Sequence, residues 1–140
     1  MALSAVIEDL HERLEAAGWG QTRPLWGFVL LSLREGPSRI SEVGRLLGVS
    51  KQAAAKVVDG LSEAGLVERA TEPLDRRASA VTLTERGARF LADAESAYEQ
   101  IERDWSATMG DAELAALRTG LAAVLRARYG DERPPVRPVL

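Results

Sequence analysis

The feature that most constrains the fold is the short turn Gly48-Val49-Ser50, which separates two helical patterns. Residues 40–47 before the turn and residues 51–64 after it both carry apolar side chains at three- and four-residue intervals. Ser50 is a suitable N-cap for the second helix, because its hydroxyl can accept from backbone N–H groups at the start of that helix. Two helices joined by so short a glycine-containing turn predict a helix-turn-helix, whose second helix enters the DNA major groove by its N-terminal residues.

Two runs with partial strand alternation follow the second helix. They span residues 66–71 and 79–84, and a turn-rich stretch, 72–77, separates them. Two such runs at this spacing predict a β-hairpin. We therefore expect a mainly α protein with a small β-hairpin wing, in which residues 22–90 form a winged helix-turn-helix lobe.

Three further helical patterns surround the helix-turn-helix. Thr22 can cap a helix that begins near Pro24 and is apolar almost all round, which predicts the buried centre of the lobe. Thr84 can cap a long connecting helix over residues 85–108, and a last helix is expected over 111–129. The proline-rich tail, 130–140, is expected to be flexible. At 140 residues the chain is the size of one domain.

The first helix, residues 1–17, and the last each carry one clean apolar stripe. Such a stripe can be buried against its own domain or against a second chain, and the pattern at the two ends of the chain favours a second chain. A two-fold dimer would place two recognition helices about one DNA turn apart, roughly 34 to 36 Å. The predicted dimer interface consists of Leu3, Val6, Ile7, Leu10, Leu14, Leu114, Leu117, Leu121, Val124 and Leu125.

The charge is unevenly distributed along the chain. A net charge of -3 and a pI near 5.3 argue, taken alone, against a nucleic-acid partner, because DNA binding depends on neutralising phosphates. Residues 36–90, however, hold 9 basic and 7 acidic side chains, whereas both flanking segments are net acidic. Lys51 and Lys56, the two lysines of the sequence, both lie in the second helix of this positive segment. The helix-turn-helix region is therefore the part expected to face DNA.

Most of the candidate DNA contacts lie at the start of the second helix and at the hairpin tip. Lysine can neutralise phosphate, and glutamine can pair with the edge of adenine. Arginine suits a narrow minor groove, and an aspartate beside it can hold the guanidinium in place. Alone, either feature is more typical of a solvated surface, but together they favour DNA binding. The predicted contacts are Arg39, Ser50, Lys51, Gln52, Ala55, Lys56, Asp75, Arg76 and Arg77.

Several other classes of function are not expected. The sequence has no cysteine and one histidine, His11, which excludes disulfides, thiol redox sensing and a multi-histidine metal site. We find no nucleophile–base pairing, phosphate loop or metal-ligand spacing, so neither an enzyme nor a cofactor is expected. No apolar run approaches the roughly 18 to 20 residues that span a bilayer, and the N-terminus lacks a signal-peptide pattern. We expect a cytoplasmic protein.

The motifs together resemble the MarR family of bacterial transcriptional regulators. The resemblance rests on Ser41 to Ala53 across the helix-turn-helix, on Leu61 to Val67, and on Pro73 to Arg77, followed by Val81-Thr82-Leu83-Thr84-Glu85-Arg86-Gly87. Its most specific mark is an Asp-x-Arg wing followed by Leu-Thr-x-x-Gly. It implies a homodimeric regulator, in the leading interpretation a repressor on a pseudo-palindromic operator. In that family the wing arginine, matched by Arg77, enters the minor groove and is supported by the aspartate matched by Asp75.

The resemblance also implies that a small aromatic or phenolic effector binds between the dimer helices and the DNA-binding lobe. Trp19, Trp26 and Trp105 can line an aromatic pocket in which Arg23 meets a carboxylate, although core packing explains the tryptophans equally well. The alanines at 53–55 leave few polar groups on the recognition helix, so shape and backbone contacts are expected to carry much of the recognition. The alternative interpretation, consistent with the overall acidity, is a winged-helix protein-interaction module that does not bind DNA.

Overall fold

The computed structural model describes residues 2–20, 22–71 and 79–130. Within them it is mainly helical, with one small antiparallel sheet, which confirms the predicted winged helix-turn-helix. No helix in this described part has both the length and the apolar character needed to cross a bilayer. The elements in chain order are α1 (Ala2–Ala16), α2 (Pro24–Leu33), β1 (Ser38–Arg39), α3 (Ile40–Leu47), α4 (Lys51–Glu63), β2 (Val67–Thr71), β3 (Ser79–Leu83), α5 (Glu85–Met109) and α6 (Asp111–Tyr129).

The turn between α3 and α4 has the geometry that the sequence predicts. Gly48 ends α3 with φ 64°, a left-handed conformation that glycine adopts without a steric penalty. Ser50 caps α4, since its Oγ accepts from the backbone N–H of Ala53 at 3.2 Å. The two helices cross closely at Gly44, where an added Cβ would lie 3.2 Å from the carbonyl oxygen of Val49. The helix-turn-helix is therefore a rigid unit fixed by local contacts.

The core of the lobe is built around α2, but two predicted faces need correction. Only one side of α2 is buried, because Phe28 and Leu31 are each 43% exposed. In α4, helical spacing in the sequence places Ala53, Val57, Gly60 and Leu61 on one face, but the first three are only half-buried and the fully buried side chains are Ala54, Val58 and Leu61. Thr22 does not cap α2, whose N-cap position is Arg23. The core side chains of α2, α3 and α4 are Val29, Leu30, Leu33, Val43, Leu47, Ala54, Val58 and Leu61.

The sheet has three strands in the order β1-β3-β2, all antiparallel. Strand β1 was not predicted, because two residues are too few to show an alternation. It pairs Arg39 with Ala80 and so joins the start of α3 to the wing. On the other side of β3, the β2 pairing extends from Val67 opposite Leu83 to Thr71 opposite Ser79. Through β1, the wing strands are thus paired on one side with the segment that leads into α3.

Helix α5 begins at a tightly packed junction with the wing. Thr84 caps it by accepting from the N–H of Gly87 at 3.0 Å, and the same hydroxyl donates to the carbonyl of Gly65 at 2.7 Å. At Gly87 an added Cβ would lie 2.1 Å from the carbonyl oxygen of Leu66, a distance that real contacts do not reach. The sequence Leu-Thr-x-x-Gly is therefore the structural joint between the wing and the long helix.

The two terminal helices differ in how much of their apolar stripe is buried. In α1, Leu14 is only 3% exposed and Leu10 packs against the same core, so the predicted interface role is wrong for Leu14. Val6 and Ile7 are half-buried, and the side chain of Leu3 is outside the described ones. In α6, by contrast, no side chain is buried. The exposed apolar residues of α6 are Leu117, Leu121, Val124 and Leu125.

Polar contacts attach both terminal helices to α5. The guanidinium of Arg13 donates to Asp9 at 2.6 Å in its own helix and to Asp104 of α5 at 2.7 Å, and these carboxylates raise its pKa. At the other end, Arg118 of α6 pairs with Glu102. Helices α1 and α6 are therefore both attached to α5. The tail, 131–140, lies outside the described residues.

Candidate nucleic-acid interface

The exposed side of α4 carries the predicted helix contacts. Lys51 and Gln52 occupy its first turn, and they are exposed together with Ser50 and Lys56, while Ala55 is half-buried. The first turn is the part of a recognition helix that reaches base edges. Because Ala54, Val58 and Leu61 hold the opposite side in the core, the direction of the exposed face is fixed. This face has the right chemistry and exposure for phosphate and base-edge contacts.

The wing supplies the second predicted contact region. Arg39 is exposed on β1, within the sheet that carries the wing strands. Asp75, Arg76 and Arg77 fall within residues 72–78, between the paired ends Thr71 and Ser79, and lie outside the described residues. Their role in the minor groove therefore stays a prediction.

One pair of side chains at this interface was not found by sequence reasoning. Arg69 of β2 reaches α4, where its Nη2 lies 2.5 Å from Oδ1 of Asp59 and 3.4 Å from the carbonyl oxygen of Ala55. The two residues are ten positions apart and belong to different elements, so no helical or strand spacing relates them. The only signal is the period of two along β2, which puts Arg69 on the same strand face as the buried Val67.

A cavity of about 250 Å³ lies between the start of α2 and the recognition helix. Two of the four predicted pocket residues, Arg23 and Trp26, line it together with Lys56 from the exposed side of α4. Gly60 lets the indole approach the helix closely, since an added Cβ would lie 3.5 Å from Cζ2 of Trp26. The complete lining is Arg23, Leu25, Trp26, Lys56, Val57, Asp59, Gly60 and Glu63.

A second, more apolar groove of about 290 Å³ lies between α2 and α5. The exposed side chains of Phe28 and Leu31 form one wall and Tyr98 the other, where partial burial raises the pKa of the phenol. Glu95 lines the same groove and pairs with Arg34 at 2.6 Å. None of the predicted pocket residues lines this groove.

The other two predicted pocket residues lie elsewhere. Trp19 packs edge-to-face on Phe90, with ring centroids 5.2 Å apart, and its Nε1 donates to Asp93 at 2.7 Å. The guanidinium of Arg86 lies 4.9 Å from the centre of the same indole. Trp105 is 36% exposed near the end of α5 and lines neither cavity. The expected pocket of four residues is therefore not formed; Trp19 instead fastens the α1–α2 connection to α5.

Comparison with known proteins agrees with this geometry. A family model described as the MarR family matches residues 20–78. A Thauera aromatica protein described as a transcriptional regulatory protein for the hcr operon is 33% identical over 98 residues, which is 70% of this chain and 59% of that protein. The transcriptional repressor MprA of Escherichia coli K12 is 31% identical over 90 residues, 64% of this chain and 51% of its own. The matched segment thus spans little more than half of these curated relatives.

A solved structure gives the same result over a larger part of the fold. The transcriptional repressor CouR, bound to a 23-mer DNA duplex, superposes with a TM-score of 0.68 at 28% identity and covers 89% of this chain and 90% of its own. These relatives are named as transcriptional regulators rather than as enzymes. With the helix-turn-helix, the wing strands and the Leu-Thr-x-x-Gly joint all in place, the chain belongs to the MarR family.

Proposed function

We propose that this protein is a homodimeric, sequence-specific DNA-binding transcriptional regulator that represses its targets from a pseudo-palindromic operator. The observation that carries the proposal is the rigidly mounted α4, which presents Lys51, Gln52 and Lys56 to solvent beside the wing strands. These side chains can neutralise phosphate and contact base edges. The proposed DNA contacts also include Asp75, Arg76 and Arg77, as the family resemblance implies. Such a regulator acts in the cytoplasm.

The relatives support the same function. MprA is named a transcriptional repressor, and CouR is a transcriptional repressor seen on a DNA duplex. The overall acidity of the chain is compatible with DNA binding, because the positive charge is concentrated in residues 36–90 and the acidic helices lie at the two ends. Charge segregation of this kind favours a DNA-binding regulator over a protein-interaction module.

The dimer that this function requires is proposed to form mainly through α6. Its apolar residues, between 42% and 65% exposed in the described part of the chain, form one stripe that a second copy can bury. Val6 and Ile7 at the start of α1 add half-buried surface, whereas Leu14 is used by the core of its own chain. A two-fold axis at α6 leaves both recognition helices free to face one side of a duplex.

Selection of bound duplexes from a random pool tests the proposal directly. The expected motif has two inverted half-sites whose centres are about 10 to 10.5 base pairs apart. Arg77→Ala should weaken binding to the selected duplex regardless of its bases, since a minor-groove arginine responds to groove potential. A pool without enrichment at physiological salt would contradict DNA recognition and favour the protein-interaction module.

We also propose that an aromatic carboxylate releases the protein from DNA by occupying the cavity between α2 and α4. Arg23 and Lys56 can receive the carboxylate, while Trp26 and Val57 contact the ring. Asp59 of the lining is already paired with Arg69. Arg23 and Lys56 therefore share the cavity with one further carboxylate of the lining, that of Glu63. Because Lys56 also belongs to the DNA-facing side, effector and duplex would compete for one ammonium group.

Tryptophan fluorescence titration with a hydroxybenzoate tests this site. The wild type should show saturable quenching from Trp26, and Arg23→Gln should weaken the binding at least fivefold. Leu31→Ala, in the groove between α2 and α5, is the control and should bind as the wild type does. The reverse pattern, with binding lost only in Leu31→Ala, would place the effector in that groove and contradict the proposal.

A further inference from the structure

The exposed stripe of α4 includes a carboxylate that is poorly suited to DNA. Gln52, Lys56 and Asp59 are spaced by four and three residues, so they lie on the same face of the helix. The side chain of Asp59 is 55% exposed, one turn beyond Lys56. On a helix that approaches phosphates, an unpaired carboxylate at this position would repel the ligand that its neighbours attract.

The wing supplies a cation at this position. Arg69 lies on β2, opposite Val81 of β3, and points across to α4. Its Nη2 donates to Oδ1 of Asp59 at 2.5 Å and approaches the carbonyl oxygen of Ala55 at 3.4 Å. The guanidinium thus sits over the turn of α4 that also holds Lys56. Its side chain is 36% exposed, less than the carboxylate that it covers.

We propose that Arg69 is a positioning residue for DNA binding: it holds the Asp59 carboxylate neutralised and turned towards the wing, away from the phosphates. This inference rests on the function proposed above. Two other roles for Arg69 make different predictions. If the pair serves only to connect β2 to α4, removing either partner should weaken DNA binding equally. If Arg69 contacts a phosphate directly, only the loss of Arg69 should weaken binding.

Affinity for the selected duplex, measured by fluorescence anisotropy, separates these roles. Arg69→Gln should weaken binding about fivefold to twentyfold, because it leaves Asp59 unpaired. Asp59→Asn should bind within about twofold of the wild type, since removing the carboxylate removes the need for its partner. The double variant Arg69→Gln/Asp59→Asn should recover most of the lost affinity, and Arg69→Lys should retain most of it.

Two matched controls accompany these variants. Arg69→Gln/Glu63→Gln removes a different carboxylate of α4 and should not recover affinity. Arg103→Gln removes an exposed arginine that also pairs with a carboxylate, that of Glu99 in the middle of α5. This variant should leave the affinity unchanged. Thermal unfolding of each variant should match the wild type, because an exposed ion pair contributes little to folding.

Three results would overturn the inference. If Asp59→Asn loses as much affinity as Arg69→Gln, the pair is only a mechanical tie. Arg69 contacts a phosphate itself if Asp59→Asn binds more tightly, the double variant stays weak and the slope of log K against log salt falls by about 1.8 per dimer, or about 0.9 for each half-site. If Arg69→Gln binds as the wild type does, the pair has no role in DNA binding. A wild type that fails to bind any selected duplex contradicts the proposed function instead, so the two failures are distinguishable.

Discussion

At the scale of single residues, the motif that most clearly marks the family has an architectural explanation. Thr84 closes the start of α5 and reaches back to Gly65, while Gly87 lets the helix pass over the Leu66 carbonyl. Neither residue belongs to the proposed DNA-facing surface. Their spacing is set by helix geometry, since the N-cap and the third helical position are hydrogen-bonded neighbours.

Replacing Gly87 by alanine should destabilise the fold. The added methyl would overlap the Leu66 carbonyl, which is backbone and cannot rotate away, so a loss of about 1–3 kcal/mol is expected from overpacking. Chemical denaturation measures the free energy of unfolding.

Gly120→Ala in α6 is the matched control, because no atom lies within 4 Å of its added Cβ. Alanine there should be neutral or raise helix stability by up to about 1 kcal/mol. Equal stability changes in the two variants would contradict the close approach at Gly87.

Removing the cap itself is a second test at this scale. Thr84→Ala should cost roughly 1 kcal/mol, because the Gly87 N–H and the Gly65 carbonyl both lose their side-chain partner. Thr84→Ser keeps the hydroxyl and should retain most of the stability in the same denaturation experiment. If serine is as damaging as alanine, the methyl group rather than the hydroxyl matters at this position.

At the scale of elements, the sequence predicts those features that depend on contacts between residues a few positions apart. The α3 turn, the Ser50 cap and the Thr84 cap each depend on contacts between neighbours in sequence. The buried face of α4 was misplaced by one position, because its alanines give little contrast between inner and outer sides. Strand β1, the Arg69–Asp59 pair and the split of the predicted pocket depend on contacts between distant segments, which local spacing does not encode.

We expect different residues of the recognition helix to provide affinity for DNA and preference for particular bases. Lys51→Ala should weaken binding to all duplexes alike and reduce the salt slope by about 2 per dimer, because one phosphate contact is lost in each half-site. Gln52→Ala should instead relax the base preference at one position in each half-site, worth about 1–3 kcal/mol against the wrong base.

Binding measured on the selected duplex and on single-base variants separates these two effects. If Gln52→Ala leaves every base preference unchanged, this helix does not read that base directly. DNA shape and backbone contacts would then account for the selectivity, as the alanine-rich start of α4 suggests.

At the scale of the whole molecule, the proposed dimer depends on α6. None of its side chains is fully buried, and its apolar stripe is largely exposed in the single chain. Leu121→Asp should therefore separate the dimer without unfolding the winged lobe. Sedimentation should show a single-chain species at micromolar concentration.

Ala123→Asp is the control for that experiment, because Ala123 lies about half a helical turn from the stripe on the same element. It introduces the same charge and should leave the dimer intact. Wild-type protein that sediments as a monomer at these concentrations would contradict the assembly itself, whatever the variants do.

Helix α5 runs without interruption for 25 residues, from the wing joint to the start of α6. At about 1.5 Å per residue it is a rigid rod of roughly 37 Å, close to the length of one DNA turn. If the end of α5 next to α6 is held in place, a tilt of about 5° moves the end of α5 next to the wing by about 3 Å. This displacement is nearly as large as the axial step of about 3.4 Å between successive phosphates of one DNA strand. In the proposed dimer, a small change in how the two chains meet would therefore move each wing out of register with the DNA phosphates.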